Sequence, residues 1–181
     1  MVLYLSYGLI ADFILNAHFD KIIGIEFIGF RLYTIIEYAL ITLYFTKILY
    51  KKNFLASISI SVILFALIVI FDFALRTKET FDSVPVGASA LLILFYCTLF
   101  LFEKIKDTQK IIYHNNSFWI ICGLIFYFSG TFFIFIGYKY YNSKEYNEIY
   151  SLINYFFSVI RNVFVLVAIA KSGRKNNALF G

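Results

Sequence analysis

Three stretches of this chain run without one charged residue: Asn53 to Phe71, Ser83 to Phe102 and Ile111 to Tyr138. Each is close to or longer than the ~20 apolar residues with which an α-helix crosses the ~30 Å hydrocarbon core of a bilayer. No water reaches the backbone inside that core, so each N–H and C=O must be satisfied within the segment, which a helix does from its own residues. Composition points the same way. Of 181 residues 61% are hydrophobic and 15% charged, against about 25% charged in soluble domains, and so little polarity cannot coat a water-soluble globule. Disorder is not expected, on the same ground. The one proline, Pro85, leaves long uninterrupted helices possible almost everywhere.

The predicted fold is all-α: a single polytopic transmembrane helical bundle over residues 1–181, with about six membrane-spanning helices at 1–17, 27–49, 54–72, 84–103, 118–138 and 150–170. The first is the shortest, at about 25 Å of helix. Asp82-Ser83 followed by Pro85 is an N-terminal signature for the fourth span, because a proline in the first turn loses no hydrogen bond. Asn115-Asn116-Ser117 starts the fifth in the same way. Trp119, just inside it, and Tyr138, Tyr140 and Tyr141 at its far end fit the aromatic belts of the two water interfaces. The connections are too short to hold a soluble catalytic domain. The opening residues lack the basic region and small-x-small site of a cleavable signal.

Net charge is +5, but the basic residues form short clusters between apolar runs rather than a stripe, so a membrane explains them and nucleic acid does not. Nine lie on one side of the predicted topology: Lys47, Lys51, Lys52, Lys104, Lys106, Lys110, Lys171, Arg174 and Lys175. Five lie on the other: Lys21, Arg76, Lys78, Lys139 and Lys144. The richer side is expected to be cytoplasmic, which places the C-terminus there and the protein in the cell inner (cytoplasmic) membrane.

Ionisable residues at a helix centre cost about 2.5–3.5 kcal/mol each on insertion scales, and so mark functional candidates. Asp12, Arg31, Glu37 and Arg161 are the four. Counted along spans of the same direction, Glu37 lies ten residues after Phe27 and Arg161 eleven after Tyr150, which puts both near the midplane. Asp12 and Arg31 are level near the outer end. The expected pairs are therefore Glu37 with Arg161 and Asp12 with Arg31. Ser151, Asn154, Ser158 and Arg161 share one helical face, expected to point inward. Tyr33 stands one turn before Glu37 and is placed to donate its hydroxyl to that carboxylate. A purely structural network that fixes helix register explains the same residues.

Other features carry less. Gly123, Gly130 and Gly137 recur every seven residues, a spacing that lets a neighbouring helix come close. Ser57 and Ser61 are expected to bond their own helix or a neighbour. Cys97 and Cys122 sit in apolar runs as small hydrophobes, and His18 and His114 have no second ligand at metal spacing. Asp72 and Glu103 are at span ends, where solvation is cheap. No motif for a hydrolase, metalloprotease or nucleotide-binding loop is present. Neither a catalytic residue nor a metal or cofactor is expected.

Tyr33-Thr34-Ile35-Ile36-Glu37-Tyr38, then Phe118-Trp119-Ile120 and Tyr127-Phe128-Ser129-Gly130-Thr131-Phe132-Phe133, resemble a group of uncharacterised multi-pass bacterial membrane proteins. Their pattern is a Y-T-x-x-E-[FY] helix followed by an aromatic-rich helix with F-W and a Y-F-S-G-T-F-like run. The resemblance implies a further helix before residue 1 and a role beside sensor histidine kinases, whose neighbours such proteins sometimes are.

The preferred reading is a non-enzymatic integral membrane protein acting as a sensory or partner-binding subunit, its partners being the lipid bilayer and a membrane-bound sensor kinase or other membrane protein. One alternative is a small transporter or channel with Glu37 as a relay. The other is a lipid-modifying membrane enzyme using Asp12 and Glu37, against which their depths, roughly 10 Å apart, argue.

Overall fold

A computed structural model describes residues 23–49, 51–75, 83–106, 112–137 and 144–177. Within them lie five α-helices: α1 (Ile23–Ile48), α2 (Lys52–Leu75), α3 (Ser83–Ile105), α4 (Asn116–Gly137) and α5 (Lys144–Asn177). A 3₁₀ turn, Ile112–His114, precedes α4. The first predicted span, with Asp12, lies outside the described residues, as do His18, Asp82, Tyr138, Tyr140, Tyr141 and the side chain of Ser151.

The chain is all-helical over the described residues, and four helices are long and apolar enough to cross a membrane. Their apolar windows are Phe54–Ala74, Val84–Ile105, Asn116–Phe133 and Leu152–Ser172. Helix α1, which carries Arg31, Glu37 and Lys47, is not one of the four.

Helix starts follow local chemistry. Asn115 caps α4, its Oδ1 accepting the Ser117 N–H at 3.0 Å, as its sequence position predicts. Pro85 falls in the first turn of α3, where a backbone N–H has no helical partner to lose. The Lys51 carbonyl accepts from the N–H groups of Phe54 and Leu55, at 3.0 and 3.2 Å, and so opens α2. Helix α5 is the exception to the predicted bounds, beginning at Lys144 and running 34 residues to Asn177 rather than over 150–170. Hydropathy bounds only the apolar part of a helix, whereas the polar run Lys144, Glu145, Asn147 and Glu148 continues it without an apolar signal.

The chain divides into two compact units, residues 1–92 and 93–181, with α3 passing through the boundary. In the first unit α1 and α2 form an antiparallel hairpin around Lys51. Its seam on α1 is Arg31, Thr34, Tyr38, Ile41, Thr42 and Phe45; on α2 it is Ile58, Ser61, Phe65 and Asp72, all buried. Steps of three, four and seven residues, with Thr42 beside Ile41, keep each set on one face. Tyr38 stands thirteen residues before Lys51 and Phe65 fourteen after it, so equal rise makes them level. Their rings meet with centroids 4.1 Å apart.

In the second unit α4 and α5 pack closely. A Cβ on Gly123 would stand 2.9 Å from the Phe164 Cβ and 3.1 Å from the Arg161 carbonyl oxygen. One on Gly130 would run into the Phe157 ring. Glycine at these positions lets the two backbones approach, as their seven-residue spacing predicts.

Candidate functional site

The best-defined charged site is in the first unit. Arg31 Nη2 donates to Asp72 Oδ2 at 3.1 Å, with the two side chains 9% and 4% exposed. The guanidinium carbon also lies 5.1 Å from the Phe73 ring centroid, a cation–π contact that gains strength when desolvated. A space of about 10 Å³ beside the pair is bounded by Thr34, Ile35, Val69 and Pro85.

Asp12, the expected partner of Arg31, lies outside the described residues; among those described, Arg31 bonds Asp72. Asp72 was expected to be solvated at a span end and is buried instead. The hairpin explains the difference. Arg31 is twenty residues before Lys51 and Asp72 twenty-one after it, so the same count that levels Tyr38 with Phe65 levels the charges. There Asp72 is closed off among Arg31, Thr34, Val69 and Pro85. Sequence carries this signal, provided depth is counted from the connection that the two helices share.

Glu37 is buried, 7% exposed, one turn after half-buried Tyr33 on a continuous helix. Glu37 belongs to the first unit and Arg161 to the second.

Arg161 is 4% exposed, and its guanidinium carbon lies 4.3 Å from the Tyr127 ring centroid. Asn154 and Ser158 are half-buried on the same side of α5, while Leu152, Phe156, Val159, Val163 and Leu166 are exposed. The polar stripe thus faces inward and the apolar one outward, the arrangement that hydrocarbon favours. Sequence reasoning missed Asn162, beside Arg161: its Oδ1 is closed off and has no hydrogen-bond partner. Glu103, expected to be solvated, likewise has one closed-off oxygen, Oε2.

At the basic end of α4 and α5 the aromatic belt takes a specific form. Trp119 Nε1 and Lys171 Nζ both donate to the Tyr113 carbonyl, at 3.0 and 3.1 Å. The ammonium also sits 4.6 Å from the Trp119 ring centroid. Phe164 stacks on Trp119 and on Phe126, with centroids 6.2 and 5.5 Å apart. At the end of α3, Lys106 lies 4.1 Å from the Phe102 ring. A long basic side chain that covers apolar surface while its head reaches polar groups is what a water–lipid boundary selects.

Hydroxyls on these helices mostly bond back to their own backbone. Ser61 donates to the Ile58 carbonyl at 2.7 Å and Thr131 to the Tyr127 carbonyl at 2.7 Å, the behaviour expected of Ser61. No family model, curated protein or solved structure matches this chain.

Proposed function

We propose that this chain is a non-enzymatic membrane protein of about six spans in the cytoplasmic membrane, with its C-terminus in the cytoplasm, and that it works as a sensory or partner-binding subunit beside a membrane-bound sensor kinase. The buried Arg31–Asp72 pair is the observation that supports this reading best. A salt bridge between two apolar helices contributes little net stability over a well-packed apolar pair, so its value lies in fixing one packing against another. A hairpin so held can be biased by a ligand or an adjoining helix, which is what a sensor requires. The inward stripe of Asn154, Ser158 and Arg161 on α5, together with buried Glu37, supplies further polar contacts of that kind. The six-span count and the orientation rest on the apolar stretches and on the nine-to-five distribution of Lys and Arg.

The test is co-reconstitution of the full chain in vesicles with a membrane-bound sensor histidine kinase of the same cell, with autophosphorylation as the readout. The chain is expected to change the rate several-fold, Arg31→Ala to abolish that change, and the exchange Arg31→Asp with Asp72→Arg to restore part of it. An unchanged rate, together with proton flux through vesicles holding the chain alone, would replace this reading by the transporter one.

A further inference from the structure

Between α1 and α2 the first unit leaves a groove of about 500 Å³, within the range of small-molecule sites. Its floor is the tilted Tyr38–Phe65 ring pair, these residues being 3% and 4% exposed. Its rim includes Leu43 and Ile70, which are 58% and 62% exposed, so it opens sideways. Ala39 and Ala66 in its walls are small enough to leave it wide. None of its lining residues is charged, and the α1 part runs only from Ile35 to Leu43, about 12 Å at the helical rise.

One polar atom lies just beneath this apolar surface. Thr42 lines the groove and is 7% exposed, yet its Oγ1 has no hydrogen-bond partner. Its neighbour Thr46 donates to the Leu43 carbonyl at 2.8 Å, so this helix offers the usual backbone acceptor and Thr42 does not take it. A buried hydroxyl left unsatisfied is costly, and more so in hydrocarbon than near water.

We propose that the groove holds a neutral lipophile bearing one hydroxyl or carbonyl oxygen, and that this oxygen accepts a hydrogen bond from Thr42 while the hydrocarbon part lies on the Tyr38–Phe65 floor. A charged ligand finds no counter-charge among the lining residues. A partner helix would lie along the full ~30 Å of the core rather than two turns of it. The inference deepens the proposed function, since it names the class of ligand that would bias the hairpin, and it rests on that reading only for what binding does.

The test is photolabelling of the full chain in phosphatidylcholine vesicles with three sixteen-carbon probes that carry the same diazirine: a methyl ketone, the corresponding alcohol and the plain hydrocarbon. Labelled positions are read by peptide mass spectrometry. Label is expected within residues 35–43 and 62–70, with the ketone or the alcohol exceeding the hydrocarbon about 3- to 10-fold, the share one hydrogen bond supplies. Whichever of the two labels more strongly identifies the oxygen. Thr42→Val is expected to bring the ratio to about one and leave hydrocarbon labelling in place. Ala39→Leu with Ala66→Leu is expected to lower labelling by all three probes, with helix content checked by circular dichroism. Equal labelling by the three probes, a ratio indifferent to Thr42→Val, or cross-links to a second copy at these peptides in place of probe adducts would overturn the proposal. Labelling reads binding by the chain alone: an occupied groove with an unaltered kinase rate removes the sensory reading and leaves the site, and an unlabelled groove with a responsive kinase removes only the site.

Discussion

Arg31 and Asp72 meet at 3.1 Å near the open end of a hairpin whose connection, at Lys51, lies some twenty residues from each of them along the chain. Removing one partner takes from the other its buried counter-charge. Asp72→Ala and Arg31→Ala are each expected to lower stability by about 3–5 kcal/mol. The double change Arg31→Leu with Asp72→Leu should lose much less than either single one. Unfolding titrations in mixed micelles measure both, and a double variant as damaged as the singles would show that the pair is not the unit.

The two close-approach glycines of α4 should differ in sensitivity. A Cβ at Gly123 meets a backbone carbonyl and another Cβ, neither of which can swing away, whereas at Gly130 it meets the ring of Phe157. Gly123→Ala is expected to lose about 1–3 kcal/mol. Gly130→Ala should lose less, and Phe157→Leu should recover part of that loss.

The Arg161 guanidinium over Tyr127 is expected to contribute about 1–2 kcal/mol in its desolvated setting. Tyr127→Phe keeps the ring face and should retain most of this, while Tyr127→Leu should lose it. The same titration separates the two variants, and equal losses would assign the effect to the phenol hydroxyl instead.

Trp119 is the single tryptophan of the chain, so its fluorescence reports one place. Its contacts with the Tyr113 carbonyl and Lys171 belong at the edge of the hydrocarbon. Quenching by brominated lipids should be strongest with bromine close to the headgroup. Lys171→Gln should shift the emission; an unchanged spectrum would mean that the ammonium does not sit on the ring in a bilayer.

Uncharged stretches and local capping chemistry made most of this fold legible in the sequence. Asn115, Pro85 and the Gly123/Gly130 spacing each do in the structure what their residue type requires. The charged site was less legible, because the depth of Arg31 was compared with Asp12 alone and not with Asp72 across the hairpin. Asp72 was judged by its distance from the end of its own helix, although what surrounds that end depends on how far α1 extends alongside it. The groove could not be read at all: it depends on where Ala39 and Ala66 fall around the Tyr38–Phe65 contact and on Thr42 not bonding back to the backbone, and neither has a linear signature.

Helix α5, at 34 residues, measures about 51 Å at the standard rise, well beyond the ~30 Å of hydrocarbon. Its apolar window, Leu152–Ser172, leaves two turns before it and more than one after it. A tilt forced on Arg161 would therefore appear, enlarged, at tips that extend beyond the apolar window. No hinge is required for such a lever to report from lipid to water.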